Sequence, residues 1–191
     1  MDPDSGKKHA LLQTIRRSGF LLLVARGTKE LVVSLLPTIA IALFVNVFVA
    51  EAALVEQGPS MHPNLYVGHR VLTEKITYRF HTPRRGDIVV LERPMEQINL
   101  IKRIVGLPGE MVEVRGGHTY INDQQIAEPW VVDFGGRGYG PALIPPEHVF
   151  ILGDNRANSR DSREIGPVSI SAIKGRVCLV FWPLDRLRFV P

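Results

Sequence analysis

Residues 98–121 read INLIKRIVGLPGEMVEVRGGHTYI and contain three short β-forming runs separated by turn residues. The runs Ile98–Val105, Met111–Val114 and His118–Ile121 are rich in β-branched and other apolar residues, as is typical of strands. Between the second and third runs stands Arg115-Gly116-Gly117, where glycine allows the positive φ angles of a tight reversal. The stretch therefore predicts strands that are joined by hairpins.

The same pattern continues on both sides of this stretch. Further β-forming runs are Asp87–Leu91, Val149–Leu152 and Arg176–Trp182, and Asn122-Asp123 is suited to another tight turn. One short helical turn is predicted at Ser169–Lys174, with Gly175 placed to end it. We therefore expect a mainly β fold for the part of the chain that follows residue 50.

A small elaboration of this β domain is expected at Gly116–His148, which is rich in glycine and proline. Within it, Gly135–Pro141 is predicted to be a surface loop. It lacks the strand-then-helix context that a phosphate-binding glycine loop requires.

Residues 31–50, LVVSLLPTIAIALFVNVFVA, contain no charged side chain. A hydrocarbon core needs about 20 helical residues, and Pro37 and Asn46 are tolerated in membrane helices. A buried core helix is one alternative. A cleavable signal peptide is another, although its apolar stretch of about 7–15 residues would be shorter and begin earlier. We predict a basic segment at 1–30, a single transmembrane helix at 31–50 and one folded domain at 51–191.

The net charge of +4 is concentrated before this span. The first 30 residues carry six lysines and arginines against three acidic residues, and the first basic residue after the span is Arg70. Because basic residues near a span stay on the cytoplasmic side, the N-terminus is predicted to be cytoplasmic and the domain after Ala50 to be translocated. The remaining chain is nearly neutral, so binding to nucleic acid is not expected. Leu21–Ala25 is too short to add a span, so Leu11–Ala25 either lies along the membrane interface or is mobile.

The histidines and the cysteine offer little chemistry of their own. Cys178 is the single cysteine, so no internal disulfide can form; its apolar surroundings favour a small buried hydrophobe over a catalytic thiol. The six histidines are scattered without the spacing of a metal site, so no metal ligands are predicted. A serine-histidine-aspartate site that is assembled in space remains an open alternative.

Ser60 lies between Pro59 and Pro63, with Gly58 before it. The prolines stiffen the backbone and hold one hydroxyl in a fixed place, which suits a nucleophile. The context is not Gly-x-Ser-x-Gly, because His62 replaces the second glycine, and it is not Ser-x-x-Lys, because Pro63 occupies the lysine position. Taken alone, Ser60 would be interpreted as a turn hydroxyl.

Lys102 lies within a predicted strand, and alternation places Leu100 and Ile104 on the same face. Apolar neighbours disfavour the ammonium form and lower the pKa of a lysine, so Lys102 is a candidate neutral base. Arg103 stays charged and is not a candidate. The alternative is an edge-strand lysine that reaches solvent.

Residues 153–163, GDNRANSRDSR, mix acidic, basic, amide and hydroxyl side chains. This composition predicts a loop that is held by charge-assisted hydrogen bonds. A calcium loop is excluded, because Arg156 occupies the third position, where an oxygen ligand is needed.

These three segments, their order and the preceding span resemble the type I signal peptidases, the bacterial leader peptidase family with a serine-lysine dyad. The resemblance covers the Ser60 segment, Gly86–Val90, the Lys102 segment through Gly109, and Gly153–Val168.

The resemblance implies that Ser60 is the nucleophile and Lys102 the general base. Ser159 would orient the lysine amine, and Asp161 and Arg163 would brace the site.

The resemblance also implies an oxyanion hole that uses the Ser60 backbone N–H, with Gly58 at the position where some members supply a serine hydroxyl. Two departures from the family pattern are Asn64, where threonine is usual, and Glu110, where aspartate is common. Neither departure removes a catalytic group.

The implied activity is removal of signal peptides from exported preproteins by acyl transfer, without a metal or cofactor. Substrates of the family carry small side chains at the first and third positions before the cut. The implied location is the bacterial plasma membrane, with an extracytoplasmic catalytic domain and with signal peptides and membrane lipid as partners. The other possibility is a membrane-tethered β-rich binding module in which Ser60 and Lys102 are structural.

Overall fold

The structure is a computed structural model that describes residues 29–56, 58–93 and 98–190, and only the backbone of Arg93 and Ile98. Leu11–Ala25, which was expected to lie along the membrane interface or to be mobile, is outside the described residues. Nearly all of the predicted basic segment is outside them as well. The chain divides into two compact units between Val45 and Asn46. The predicted domain boundaries at residues 30 and 50 remain predictions.

Helix α1 spans Lys29–Val49, and its last turn, Val45–Val49, is π-helical. Its 21 residues are long and apolar enough to cross a membrane, and their side chains are not buried, so the core-helix alternative is wrong. The helix ends one residue before the predicted span does, because Ala50 begins a strand.

Twelve strands and two further short α-helices follow within the described residues. They are β1 (Ala50–Leu54), β2 (Arg70–Glu74), α2 (Thr77–Phe80), β3 (Ile88–Arg93), β4 (Ile98–Gly106), β5 (Met111–Arg115), β6 (His118–Ile121), β7 (Gln124–Gln125), β8 (Tyr139–Leu143), β9 (His148–Leu152), α3 (Ser162–Ile165), β10 (Val168–Ser169), β11 (Ile173–Trp182) and β12 (Arg188–Phe189). Single 3₁₀ turns lie at Arg156–Asn158, Ile170–Ala172 and Leu184–Arg186. The predicted mainly β fold is confirmed.

The strands form two antiparallel sheets. The large sheet has the order β1-β2-β11-β3-β4-β9-β10, with β12 paired to β11, and the small sheet has the order β7-β6-β5-β8. The small sheet holds both predicted hairpin turns. Gly116-Gly117 joins β5 to β6 and Asn122-Asp123 joins β6 to β7, and all four residues have positive φ, as type I′ hairpin turns require.

Strand β4 lies in the middle of the large sheet, between β3 and β9. Its residues 101–105 are all buried, because apolar clusters cover both faces of the sheet. Leu100 and Ile104 pack into one cluster with Val89 and Ile151, whereas Ile101 packs into a different cluster. The predicted alternation of the strand is therefore confirmed, and the edge-strand interpretation of Lys102 is wrong.

The predicted helical turn at Ser169–Lys174 is only partly right. A 3₁₀ turn spans Ile170–Ala172, but β11 begins at Ile173, so Gly175 lies inside a strand rather than at a helix end. A Cβ at Gly175 would lie 2.9 Å from Thr73 Cγ2. The close approach of β2 explains the glycine.

The predicted surface loop Gly135–Pro141 is too long at its C-terminal end. Strand β8 begins at Tyr139 and includes Pro141. This strand lies at an edge of the small sheet, where a proline is tolerated because one side of the strand needs no ladder hydrogen bonds.

Candidate active site

Ser60 lies in a turn that buried side chains hold in place. The His62 amide donates to the Pro59 carbonyl at 2.9 Å, and the Leu65 amide donates to the Met61 carbonyl at 2.8 Å. Met61 and Leu65 are 2% and 1% exposed and belong to the core. Ser60 itself remains half-buried, so a fixed backbone presents a hydroxyl that is still accessible.

Strand β4 brings Lys102 to this hydroxyl from 42 residues away in the chain. Lys102 Nζ donates to Ser60 Oγ at 2.9 Å and to the Ile101 carbonyl at 3.0 Å. The lysine is 3% exposed. The structure thus joins the two residues that the sequence proposed as nucleophile and base.

Burial lowers the pKa of Lys102 from 10.5 to about 8, although the carboxylates of Asp161 and Asp154 act in the opposite direction. Desolvation disfavours the ammonium form more than the two carboxylates favour it. A lysine with this pKa is neutral in an appreciable fraction of molecules near neutral pH. It can therefore accept a proton from a hydroxyl at hydrogen-bond distance.

Asp154 connects the 153–163 loop to β4. Its carboxylate accepts from Arg103 Nε at 2.8 Å and from Arg103 Nη2 at 2.7 Å, a bidentate pair that fixes both side chains. The Arg103 guanidinium lies 4.6 Å from the ring centroid of Trp130. Arg103, excluded as a base, is instead a structural partner of the loop.

Asn64 ties the Ser60 segment to the same carboxylate. Its Nδ2 donates to Asp154 Oδ2 and to the Trp130 carbonyl, both at 2.8 Å. The sequence marked Asn64 only as a departure from a family pattern. Its contact with Asp154, 90 residues away, had no local sequence signal.

Asp161 and Arg163 brace the loop from within. Asp161 is fully buried and accepts from Arg163 Nε and Nη2, both at 2.8 Å. It also accepts from the Gly153 amide at 3.0 Å. The loop closes back on itself beside the end of β9.

Ser159 does not make the predicted hydrogen bond to Lys102. Its Oγ is buried and has no hydrogen-bond partner in the described part of the chain. Ser159 nevertheless lies close to the nucleophile segment, since both approach the same point beside Gly153. A Cβ built on Gly153 would lie 2.5 Å from the Ser60 carbonyl oxygen and would also collide with Ser159 Oγ. The Asn155 amide further ties the loop to the Ser60 carbonyl, at 3.0 Å.

Gly58 is exposed and has a φ of 59°. This left-handed conformation favours glycine, which accounts for its presence where some relatives are expected to have serine.

Three other chemistries can be compared with the geometry: a metal site, a serine-histidine-aspartate site and a catalytic thiol. Among residues 29–56, 58–93 and 98–190, no group of three or more His, Cys, Asp or Glu side chains is placed to hold a metal ion. The hydrogen bond to Ser60 Oγ comes from Lys102. Cys178 donates to the Leu72 carbonyl, and burial raises the pKa of its thiol, the opposite of what a reactive thiol needs.

Comparison with known proteins identifies the family of the chain. Residues 28–182 match the family described as signal peptidase, peptidase S26. The chain is 40% identical over 158 residues to Signal peptidase I of Leptolyngbya laminosa, covering 78% of this chain and 77% of that protein. It is 36% identical over 162 residues to Signal peptidase I of Bacillus amyloliquefaciens, covering 78% and 83%.

A chloroplast protein is also similar. The chain is 38% identical over 139 residues to thylakoidal processing peptidase 1 of Arabidopsis thaliana, covering 67% of this chain and 41% of that protein. The match to the family extends from the end of the basic segment to the end of β11. The chain belongs to the signal peptidase family, peptidase S26.

Proposed function

We propose that this chain is a membrane-anchored serine endopeptidase that removes signal peptides from exported preproteins, with Ser60 as nucleophile and Lys102 as general base. The observation that carries the proposal is the 2.9 Å hydrogen bond between Lys102 Nζ and Ser60 Oγ. The lowered pKa of Lys102 supports it. Family membership supports the substrate class.

In the proposed cycle, neutral Lys102 takes the proton of Ser60 Oγ as that oxygen attacks the carbonyl carbon of the scissile peptide. The negative charge that develops on the carbonyl oxygen is stabilised by the Ser60 backbone N–H and a second donor at Gly58. Lys102 then gives its proton to the departing amine, and the acyl group stays on Ser60. Water releases it as a carboxylic acid, with Lys102 again as base.

The supporting residues have separate proposed roles. Ser159 orients the amine of Lys102 during the cycle, since its buried hydroxyl makes no hydrogen bond in the described structure and is available to accept one. Asp161 and Arg163 hold the loop that carries Ser159. Asp161 also keeps a negative charge close enough to raise the lysine pKa.

The proposed topology places a basic N-terminal segment (1–30) in the cytoplasm, a span at 31–50 and a catalytic domain at 51–191 outside it. The proposed membrane is the bacterial plasma membrane, in keeping with the bacterial relatives. The ten steps from Ala50 to Ser60 reach at most about 33–36 Å when fully extended. Ser60 therefore works near the membrane surface, where a signal peptide presents its cleavage site and lipid is a second partner.

The test is cleavage of one purified preprotein, followed by sequencing of the new N-terminus. Wild-type protein should release a single mature product, with small residues at the first and third positions before the cut. Ser60→Ala should release none, while Ser171→Ala, at an exposed serine, should behave as wild type. A folded Ser60→Ala variant that still cleaves would rule out Ser60 as the nucleophile. A folded wild-type chain that cleaves nothing and whose Ser60 no acylating probe labels would show that the chain is a binding module.

A further inference from the structure

Arg156 is a fully buried arginine in the loop that faces Ser60. Within the loop, its Nε donates to the Gly153 carbonyl at 3.2 Å. Its other partners belong to the small sheet and the segment that follows β7. Nη1 donates to the Gly117 carbonyl at 2.7 Å and to Thr119 Oγ1 at 3.3 Å. The loop and the small sheet are therefore connected through one side chain.

Glu128 balances the charge of this arginine. Its two carboxylate oxygens accept from Arg156 Nη1, at 3.1 Å, and from Nη2. Thr119 adds two more donors to the carboxylate, its amide at 3.2 Å and its hydroxyl at 3.0 Å. A buried charge persists only where a partner and hydrogen bonds compensate it, so each member of this pair fixes the position of the other.

Two hydrogen-bond routes lead from this pair to Ser60. The first runs through the backbone, because the amide of Asn155, the residue before Arg156, donates to the Ser60 carbonyl. The second starts at the Arg156 carbonyl, which accepts from Arg163 Nη2 at 2.7 Å. Arg163 in turn holds Asp161, which fixes the Gly153 amide beside Ser60 and Ser159.

On the basis of the proposed function, we propose that Glu128 is a positioning residue for the Ser60–Lys102 dyad. It contacts neither member of the dyad. It acts through Arg156, which sets the 153–159 loop against the Ser60 carbonyl and so sets the direction of the Ser60 hydroxyl toward Lys102. Glu128 lies outside the segments that carry the family resemblance, and the sequence around it, Ala127-Glu128-Pro129, has no catalytic pattern.

The experiment compares the full-length chain in detergent micelles with Glu128→Gln, which keeps the side-chain size and removes its charge. Glu113→Gln is the matched control, because Glu113 lies in β5 of the small sheet and its ion pair, at 3.4 Å, is with a half-exposed Arg115. For Glu128→Gln we expect kcat to fall about tenfold and KM to change less than twofold, as for a residue that affects the reacting geometry rather than substrate binding. Both constants of Glu113→Gln should stay within twofold.

Hydrogen exchange supplies a readout that requires no substrate. At a temperature well below unfolding, amides of residues 153–159 should exchange faster in Glu128→Gln, while strand amides of the large sheet keep their wild-type rates. A uniform loss of protection together with an unchanged kcat per folded molecule would show that Glu128 is only structural and would overturn the proposal.

A milder variant covers the case in which Glu128→Gln does not fold. Thr119→Val removes the hydroxyl that donates to Glu128 and retains the side-chain shape, and we expect the same loop-confined exchange with an approximately threefold loss of kcat. Wild-type exchange and kcat in Thr119→Val would then overturn the proposal. If the wild-type chain cleaves no preprotein, the proposed function fails, and the exchange rates of the 153–159 loop alone decide the role of Glu128.

Discussion

Lys102 is buried, and its amine nevertheless makes hydrogen bonds to Ser60 Oγ and to the Ile101 carbonyl. Desolvation alone would favour loss of its proton, and two nearby carboxylates limit that loss. Both carboxylates are themselves paired with arginines, Asp154 with Arg103 and Asp161 with Arg163. Burial outweighs the two carboxylates, and the pKa of the lysine therefore remains below its ordinary value.

This environment predicts the pH dependence of cleavage. Because only neutral Lys102 accepts the proton of Ser60, kcat/KM should rise with pH and level off, with a midpoint near the lowered pKa of about 8. Lys102→Arg should be at least about 10³-fold less active at every pH, since a guanidinium stays protonated. The measurement is initial rates of peptide cleavage from pH 6 to 10.5. A midpoint near 10.5, or an active arginine variant, would contradict the base assignment.

Ser159 allows a catalytic hydroxyl to be distinguished from a structural one. Ser159→Ala should lower kcat about tenfold or more and leave the free energy of unfolding within about 1 kcal/mol of wild type, because Ser159 Oγ has no hydrogen bond to lose in the described structure.

Ser162→Ala is the contrasting control for this experiment. Ser162 Oγ accepts from the Ile151 amide at 3.0 Å in the same buried region. Its loss should cost about 1–3 kcal/mol of stability and leave kcat per folded molecule unchanged. Denaturant unfolding and kcat measured in parallel would settle both roles; the opposite pattern at Ser159 would make it a structural hydroxyl.

At the scale of single residues, sequence alone proposed both members of the dyad but not the contacts that hold them. Ser60 and Lys102 have local signals, a stiff turn and a strand with apolar neighbours. Asn64 and Glu128 have none, because their partners lie 90 and 28 residues away in the chain. Such contacts depend on how the sheets pack, which local patterns do not specify.

At the scale of elements, the sequence predicted the hairpin turns and the strands that are rich in apolar residues. It did not predict strands whose own residues have low β propensity and that form by pairing with a neighbouring strand. The run Ala50–Leu54 reads AEAAL, a composition with low β propensity, yet it pairs with β2 over five residues. Strand β8 reads YGPAL, in which glycine and proline normally indicate a loop. In both strands the tertiary context overrides the local preference.

Gly153 follows β9 directly, and adding a single methyl group at this position should lower the rate of cleavage. Gly153→Ala would place a Cβ within 2.5 Å of the Ser60 carbonyl oxygen and against Ser159 Oγ, so the loop or the Ser60 turn must shift. A displacement of about 1 Å at a reacting group can cost about 10²-fold in rate, and we expect kcat/KM for peptide cleavage to fall by about that factor.

Gly135→Ala is the control for this change. A Cβ at Gly135 would lie 3.2 Å from Ala157 Cβ, in the 153–163 loop that also contains Gly153. Small adjustments relieve this contact, so kcat/KM should stay within about threefold of wild type. Wild-type rates in a folded Gly153→Ala variant would show that the close approach of the loop to Ser60 is not needed.

At the scale of the whole molecule, the unit that begins at Asn46 exposes large apolar side chains beside β11 and in the segment that follows it. Val67 and Trp182 border one cleft together with Asp185 and Arg186. Leu184, Leu187 and Phe189 follow in the chain and are 70%, 59% and 83% exposed. We name these five apolar residues, Val67, Trp182, Leu184, Leu187 and Phe189, the apolar rim. Of the two aromatic residues at the end of β11, Trp182 is the more exposed and Phe181 is partly buried.

The apolar rim predicts that the unit that begins at Asn46 adsorbs to lipid without residues 1–45. The fragment 46–191 should be made rather than 51–191, because the Asn46 carbonyl accepts from Lys75 Nζ and Ala50 begins β1. We expect this fragment to cleave short peptides and to bind vesicles that contain anionic lipid, since apolar side chains and adjacent arginines both favour the interface. Binding should shift the tryptophan emission to the blue. Trp182→Phe should abolish that shift and Trp130→Phe should preserve it. A fragment that is active but stays in solution at high lipid would show that the anchor alone supplies membrane proximity.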